Sequence, residues 1–162
     1  MIETSQPISE MLPLTGKDIV DIVKFTKILD CFVGVFPINR LPARKIAKPF
    51  CLIVNLDFDY ELGSHWCAVH ISDTYGMYFD SFGNAPPKLM EQFIFRHCKN
   101  NWYFNDHRLQ GDTEITCGYY AIAFLLYAYK DNIHLFFKSF VHCQFSKNRK
   151  KLEELKKTVL KI

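Results

Sequence analysis

A cysteine that opens an apolar run is the residue in this sequence best suited to nucleophilic chemistry. Cys117, followed by Gly118, begins the stretch CGYYAIAFLLYAYK, residues 117–130. This stretch would be long for a strand and is apolar nearly all round, so it predicts a buried helix. A thiol in the first helical turn feels the positive end of the helix dipole, which favours the nucleophilic thiolate. Taken alone, the cysteine is more simply explained as a buried structural residue.

His65 and Asp80 are the candidate base and its orienting acid. His65 begins the strand candidate HWCAVHIS (residues 65–72), Asp80 lies in MYFDSF (residues 77–82), and the intervening DTYG predicts a hairpin turn. The two residues are symmetric about this turn, which predicts opposed cross-strand positions about 4.5–5.5 Å apart. A carboxylate there can hold the imidazole tautomer and stabilise its cation. A surface histidine and a turn-initiating acid are the simpler alternatives.

Gln110 supplies a fourth candidate group. It precedes Gly111 and a polar loop that leads to Cys117. Its side-chain amide could donate to a developing oxyanion together with the backbone N–H of Cys117. None of the four residues is convincing alone, but the order His, Asp, Gln, Cys is more specific than any member of it. The sequence therefore predicts nucleophilic acyl-transfer chemistry.

The elements that must position these residues follow from hydrophobic periodicity and turn signals. In chain order we predict an amphipathic helix at 15–30, an extended segment at 31–42, strands at 50–56, 65–72 and 77–82, a helix at 86–100, a strand at 102–109, the helix at 117–130 and an amphipathic helix at 150–162. The face of the helix at 86–100 predicted to be buried comprises Leu89, Met90, Phe93, Ile94 and His97. This order predicts an α+β fold with a mostly antiparallel sheet packed on a central buried helix.

Length and composition limit the class of protein. The 162 residues, 49% of them hydrophobic, fit a single domain, 1–162, with residues 1–14 expected to be flexible. No run approaches the roughly 20 apolar residues of a membrane span, and the N-terminus lacks a signal-peptide pattern. We therefore expect a soluble protein that is not secreted. The six cysteines form no C-x-x-C pair and are expected to be free thiols.

The C-terminal segment is basic. Residues 147–162 contain seven basic and two acidic residues, a net charge of +5, whereas the remaining 13 basic and 15 acidic residues give −2. Such a segment can contact an acidic partner or nucleic acid. The simpler interpretation is the solvated face of an amphipathic C-terminal helix.

Three segments together resemble the adenovirus protease family, the adenain-like cysteine peptidases. They are GSHWCAVHI with the following YFDSFGN, then LQGDTEITCGYYAIAFLLYAY and, more weakly, CFVGVFPINRLP. The family is related to Ulp-type proteases, which cleave after Gly-Gly on ubiquitin-like proteins. The resemblance spans about residues 15–160 and implies a papain-like, adenain-like fold. It assigns Cys117 as nucleophile, His65 as base, Asp80 as the third member and Gln110 as oxyanion donor.

The resemblance also implies a substrate class and partners. It suggests a thiol endopeptidase that cleaves Gly-rich sites (Gly-Gly or Gly-X-Gly) in viral capsid or core precursors, with Trp66, Gly63, Asn55 and Gly118 at the substrate. An Ulp-type isopeptidase that removes a ubiquitin-like modifier is the alternative. The sequence itself requires no cofactor, but the family implies an activating viral peptide, with Cys98 as the candidate linking cysteine, and DNA at the basic segment. The expected location is the cytosol or nucleus of an infected host cell and the virion.

Parts of the sequence are also compatible with other functions. His65, Cys67 and His70 could bind a metal, but on a strand His70 points to the opposite face, and no second zinc-like cluster completes a site. Cys67 could be a nucleophile, but its strand lacks the helix dipole. A basic nucleic-acid-binding module and a catalytically idle relative are the remaining alternatives.

Overall fold

A five-stranded sheet separates two layers of helices. The structure, a computed structural model, describes residues 11–160. The helices are α1 (Gly16–Val23), α2 (Lys88–Cys98), α3 (Cys117–Tyr129), α4 (Ile133–Ser139) and α5 (Phe145–Leu155). The strands are β1 (Phe32–Pro37), β2 (Phe50–Asn55), β3 (Trp66–Ile71), β4 (Gly76–Phe79) and β5 (Trp102–Phe104). Short 3₁₀ turns lie at Lys27–Asp30 and Ile38–Arg40, and a π-helical turn at Lys156–Leu160 follows α5.

The strands follow one another across the sheet in chain order, β1-β2-β3-β4-β5. The central pairings, β2 with β3 and β3 with β4, are antiparallel. The outer pairings, β1 with β2 and β4 with β5, are parallel. The predicted hairpin between β3 and β4 is present, and the predicted α+β fold with a central helix is confirmed.

Side-chain alternation along the inner strands builds a separate core on each face of the sheet. On one face Cys51, Ile53 and Ala68 pack with α3, around which α1, α4 and α5 gather. On the other face Leu52 and Cys67 belong to the core that contains the buried side of α2. Because α3 is covered by the sheet and by other helices, nearly all its side chains can be apolar.

Several elements end earlier than the sequence predicts. The helix expected at 15–30 stops at Val23, where the backbone N–H and the hydroxyl of Thr26 both donate to the Val23 carbonyl, each at 2.9 Å. The strand expected at 102–109 ends at Phe104, because the next side chain, Asn105, bonds to backbone outside the ladder. On α2, Leu89 is 42% exposed, so its assignment to the buried face was wrong.

The two ends of the chain differ from expectation in detail. Of the segment expected to be flexible, residues 1–10 lie outside the described residues, whereas Met11 is buried and Leu14 packs against the core. Near the C-terminus α4 was not predicted, and α5 begins at Phe145, ahead of the predicted start at residue 150. Within the described part of the chain, no helix is both long and apolar enough to cross a bilayer.

His97 gives the fold a testable pH dependence. Its Nδ1 bonds to the Phe93 carbonyl at 2.9 Å, and its Nε2 accepts from the Ile46 N–H at 3.3 Å, so the ring is neutral. Burial lowers the pKa of His97 below its ordinary 6.5. The unfolded chain therefore takes up a proton near pH 6.5 that the folded ring does not, and stability is present above that pH and declines below it.

As the pH is lowered from 6.5 to 5, we expect the urea midpoint of the wild-type protein to fall, and to fall less in His97→Gln, which retains a donor and an acceptor. His65, whose pKa is raised, changes stability only above about pH 6.5 and does not contribute in this window. Parallel pH profiles for the two proteins would contradict this role of His97.

Candidate active site

The β3–β4 hairpin brings His65 and Asp80 together at its open end. His65 directly precedes β3, and Asp80 directly follows β4. The His65 Nε2 lies 2.6 Å from the Asp80 Oδ1. Their side chains are only 11% and 1% exposed. This short, shielded contact leaves Nδ1 as the ring nitrogen available to another group.

The pairing differs from the one the sequence predicted. In the β3–β4 register Ala68 faces Phe79, so continuing it past the strand ends places His65 opposite Phe82 and Cys67 opposite Asp80. The expectation that His65 and Asp80 are directly opposed was therefore wrong by two residues. His65 reaches Asp80 diagonally, and its ring stacks on Phe82 with centroids 4.7 Å apart.

Asn105 fixes the backbone that carries the acid. Its Oδ1 accepts from the Asp80 N–H at 3.0 Å, and its Nδ2 donates to the Asp80 carbonyl at 2.7 Å. The Phe82 N–H donates to the Asp80 Oδ1 at 2.8 Å. The turn closes at Gly83, whose φ is +74° and where a Cβ would lie 3.0–3.1 Å from the backbone of residues 106–108. Sequence reasoning missed Asn105, whose only signal was a polar residue at the end of the run WYFN.

The pKa of His65 reflects a balance of opposing effects. Burial by itself lowers the pKa, but the hydrogen bond to Asp80 and the neighbouring thiols of Cys117 and Cys67 outweigh burial. Together they raise the pKa of His65 to about 12. The ring therefore carries a proton at neutral pH, which it can donate to a leaving group.

Three hydrogen bonds hold Gln110 in a single orientation. Its Oε1 accepts from the Ser81 hydroxyl at 2.7 Å, and its Nε2 donates to the Glu114 carbonyl at 2.5 Å. The Gln110 backbone N–H donates to the Ser81 carbonyl at 3.1 Å. Because an amide nitrogen has two hydrogens, one N–H is left over for a ligand. The buried side chain nevertheless borders the same groove as Cys117.

Cys117 is the first residue of α3, as predicted. Its backbone N–H has no acceptor within the helix and can serve a ligand. Gly118 does not border the groove expected to bind substrate; it is buried, and a Cβ there would lie 3.2 Å from Leu14 and 3.3 Å from Trp66. The glycine thus allows α3 to approach the strand that follows His65.

A groove of about 630 Å³ runs over these residues. The predicted substrate residues Trp66, Gly63 and Asn55 border it together with His65 and Cys117. The Trp66 Nε1–H donates to the Leu14 carbonyl at 2.8 Å, which fixes the indole. The Asn55 Oδ1 accepts from the backbone N–H groups of Asp57 and Ser64, and so supports the loop that leads to His65.

The remaining predicted site residues lie elsewhere or serve other contacts. Cys98 is half-buried at the opposite end of the hairpin, where a side chain at position 76 would collide with its Sγ, and burial raises its pKa. Ligand atoms of His65, Cys67 and Asp80 lie within 4.8 Å of one another, but His70 is not in this group. The His65–Asp80 bond and the full burial of Cys67 suit an acid–base pair better than a metal site.

Comparison with known proteins identifies the fold. The sequence matches no protein-family model and no curated protein. A crystal structure of the ASFV pS273R protease aligns with a TM-score of 0.64 and 14% identity over 93% of this chain and 68% of that one. Its selenomethionine form aligns with a TM-score of 0.52 and 18% identity over 68% of this chain and 43% of that one. The SUMO protease Ulp1, with its catalytic cysteine oxidised to a sulfinic acid, gives a TM-score of 0.48 and 16% identity over 94% of this chain and 81% of that one.

The two alignments with the ASFV protease show that this chain shares the fold of a protease. Its alignment spans less than half of one ASFV protease chain.

The His65–Asp80 contact can be tested directly. We expect Asp80→Asn to lower the pKa of His65, because the anionic acceptor is lost while burial remains. An NMR titration of the imidazole resonances would measure the change, with Asp106→Asn as an exposed control. A ring that stays protonated above pH 9 in Asp80→Asn would refute the assigned cause.

Proposed function

We propose that this protein is a cysteine endopeptidase in which Cys117 is the nucleophile and His65 the acid–base group. The observation that carries the proposal is the buried His65–Asp80 contact of 2.6 Å, which borders the same groove as a cysteine at a helix N-terminus. The shared fold with the ASFV protease supports it.

The first step follows from the two nitrogens of His65. Asp80 occupies Nε2, so Nδ1 exchanges a proton with Cys117. The thiolate Sγ attacks the carbonyl carbon of the scissile peptide, and the carbonyl π electrons move to the oxygen. The resulting oxyanion accepts from the backbone N–H of Cys117 and from the free N–H of Gln110.

The second step uses the proton on His65. When the tetrahedral intermediate collapses, the C–N bond breaks and the imidazolium protonates the departing amine, leaving a thioester on Cys117. His65 then takes a proton from water, whose oxygen attacks the thioester, and Cys117 is regenerated as the acid product leaves. The Asp80 carboxylate keeps the ring oriented through both steps.

The site supports a Gly-rich substrate. The fixed indole of Trp66 borders the groove next to His65, and Leu14 borders it on the side of α3. Glycine places the least side-chain bulk between such walls. We therefore propose cleavage at Gly-Gly or Gly-X-Gly sites of viral capsid or core precursors, a choice supported by the fold shared with a viral protease.

Surface chemistry suggests where accessory partners would bind. The exposed lysines of α5, Lys147, Lys150 and Lys151, offer a surface for DNA. An activating peptide linked at Cys98 fits less well, because that thiol is half-buried and its pKa is raised.

Replacement of the two reacting groups tests the activity. Cys117→Ala and His65→Ala should each lower kcat/KM for a Gly-Gly peptide by roughly 10⁴-fold or more, because both groups react directly with substrate. Cys143→Ser, which removes an exposed thiol outside the groove, should leave the rate unchanged. Full activity in Cys117→Ala would refute the proposal.

Ubiquitin- and SUMO-derived fluorogenic substrates, assayed in parallel, would favour the isopeptidase alternative if they were cleaved faster than capsid-type peptides.

The charge of the groove makes a second prediction about substrates. Asp57, Asp59, Glu61 and Glu114 border the groove, and no lysine or arginine among the described residues does. Arg40 neutralises Asp59 at 2.5 Å, whereas Asp57, Glu61 and Glu114 have no salt bridge within the described chain. Unpaired carboxylates along the groove favour basic over acidic side chains in the substrate.

We expect Gly-Gly peptides with flanking lysines to be cleaved faster than matched peptides with glutamates. The ratio of kcat/KM for the lysine peptide to kcat/KM for the glutamate peptide should fall about 5-fold in the double variant Asp57→Asn/Glu61→Gln. The same ratio should also decrease when salt is added. Asp73→Asn, which removes one negative charge at the far end of the hairpin, is the control for a charge change outside the groove. An unchanged ratio in the double variant would contradict this selectivity.

A further inference from the structure

Two cysteine side chains lie in contact where β1 and β2 begin. The Sγ atoms of Cys31 and Cys51 are 3.5 Å apart. Cys31 directly precedes β1, and Cys51 is the second residue of β2. Neither residue borders the groove, so the proposed peptidase does not use this pair.

The backbone holds both cysteines in place. The Cys51 N–H donates to the Cys31 carbonyl at 2.9 Å, and the Cys31 N–H donates to the Ile28 carbonyl at 3.1 Å. In the β1–β2 register Cys51 lies opposite Phe32, the residue after Cys31, so the two cysteines are offset by one position on neighbouring strands. Disulfides join Cα atoms about 4.4–6.8 Å apart, a range that includes the spacing of neighbouring strands. An S–S bond of about 2.05 Å requires the two sulfurs to approach by about 1.5 Å, which side-chain rotation can supply.

The two thiols differ in access. Cys31 is half-buried and can meet a small reagent, whereas Cys51 is only 1% exposed and packs in the core beside α3. The hydrogen bond from Cys51 lowers the pKa of Cys31, while that bond and burial raise the pKa of Cys51. Cys31 is therefore the attacking thiol and Cys51 the resolving one.

We infer that Cys31 and Cys51 form a redox-active dithiol that a low-molecular-weight disulfide, such as glutathione disulfide, converts into an intrachain disulfide. The Cys31 thiolate attacks one sulfur of glutathione disulfide, whose S–S bond breaks to release one glutathione thiolate. Cys51 then attacks the Cys31 sulfur, the mixed S–S bond breaks, and the Cys51 proton passes to the departing second glutathione thiolate. Two electrons pass from the protein thiols to the reagent, which leaves as two glutathione molecules.

The bridge would link residues 20 apart in the chain, across the parallel β1–β2 pair. Closing a loop of this length restricts the unfolded chain, so the oxidised protein should be the more stable form. The far end of β1 (Val35, Phe36 and Pro37) borders the groove, so the bridge would also hold one groove wall to the sheet.

Peptide mapping of the full-length protein tests this inference. After incubation with glutathione disulfide and digestion without reductant, mass spectrometry should show the Cys31 and Cys51 peptides joined. The oxidised protein should melt about 5–10 °C higher than the reduced protein. Cys51→Ala should stop the reaction halfway, with glutathione retained on Cys31, whereas Cys31→Ser should leave Cys51 unmodified.

Cys143→Ser is the matched control, because it removes a fully exposed thiol and should leave the Cys31–Cys51 link unaffected. The inference is overturned if wild-type Cys31 retains glutathione and no disulfide to Cys51 forms. It is also overturned if Cys31 stays reduced after Cys143 has reacted completely. If Cys51→Ala does not fold, the wild-type map and Cys31→Ser still decide the question. None of these measurements depends on peptidase activity.

Discussion

At the open end of the β3–β4 hairpin an imidazole and a carboxylate meet at 2.6 Å in a setting almost closed to water. Removing two ionisable groups from water is costly unless further hydrogen bonds and good geometry offset that cost. The Phe82 N–H bonds to the carboxylate, Asn105 holds the backbone on both sides of it, and Gly83 turns the chain away. These contacts explain why the turn after β4 needs both a glycine and a distant asparagine.

The same turn connects the His65–Asp80 pair to Gln110, the proposed oxyanion donor. Ser81, the residue after Asp80, positions Gln110 through its hydroxyl and its carbonyl. The two adjacent residues Asp80 and Ser81 thus position two groups. In the proposed reaction, the Asp80 carboxylate would stabilise the positive imidazolium, and Gln110 would stabilise the negative oxyanion. Displacing this segment would disturb the histidine and the oxyanion donor together, so substitutions there should not behave independently.

Much of this arrangement follows from sequence-local chemistry. The helix of Cys117 is evident from its apolar composition, and the hairpin from its turn residues and alternation. The register was wrong by two residues because symmetry about the turn does not fix which residues pair, and the observed turn is centred one residue later. Asn105 lies 25 residues from Asp80, and no periodicity reports so distant a polar contact. The hydrogen bond between Trp66 and Leu14, which are 52 residues apart, could not be predicted from the sequence for the same reason.

The residues of the candidate site are separated by very different distances along the sequence. His65 and Asp80 are 15 residues apart in one hairpin, whereas Cys117 joins them only when α3 docks on the sheet through Gly118, Leu14 and Trp66. Regions of a protein open with different free energies, and buried central elements open last. Because α3 is the buried centre of this fold, local opening of the outer elements would leave Cys117 beside the His65–Asp80 pair, and their spacing would be lost only when the core itself opens.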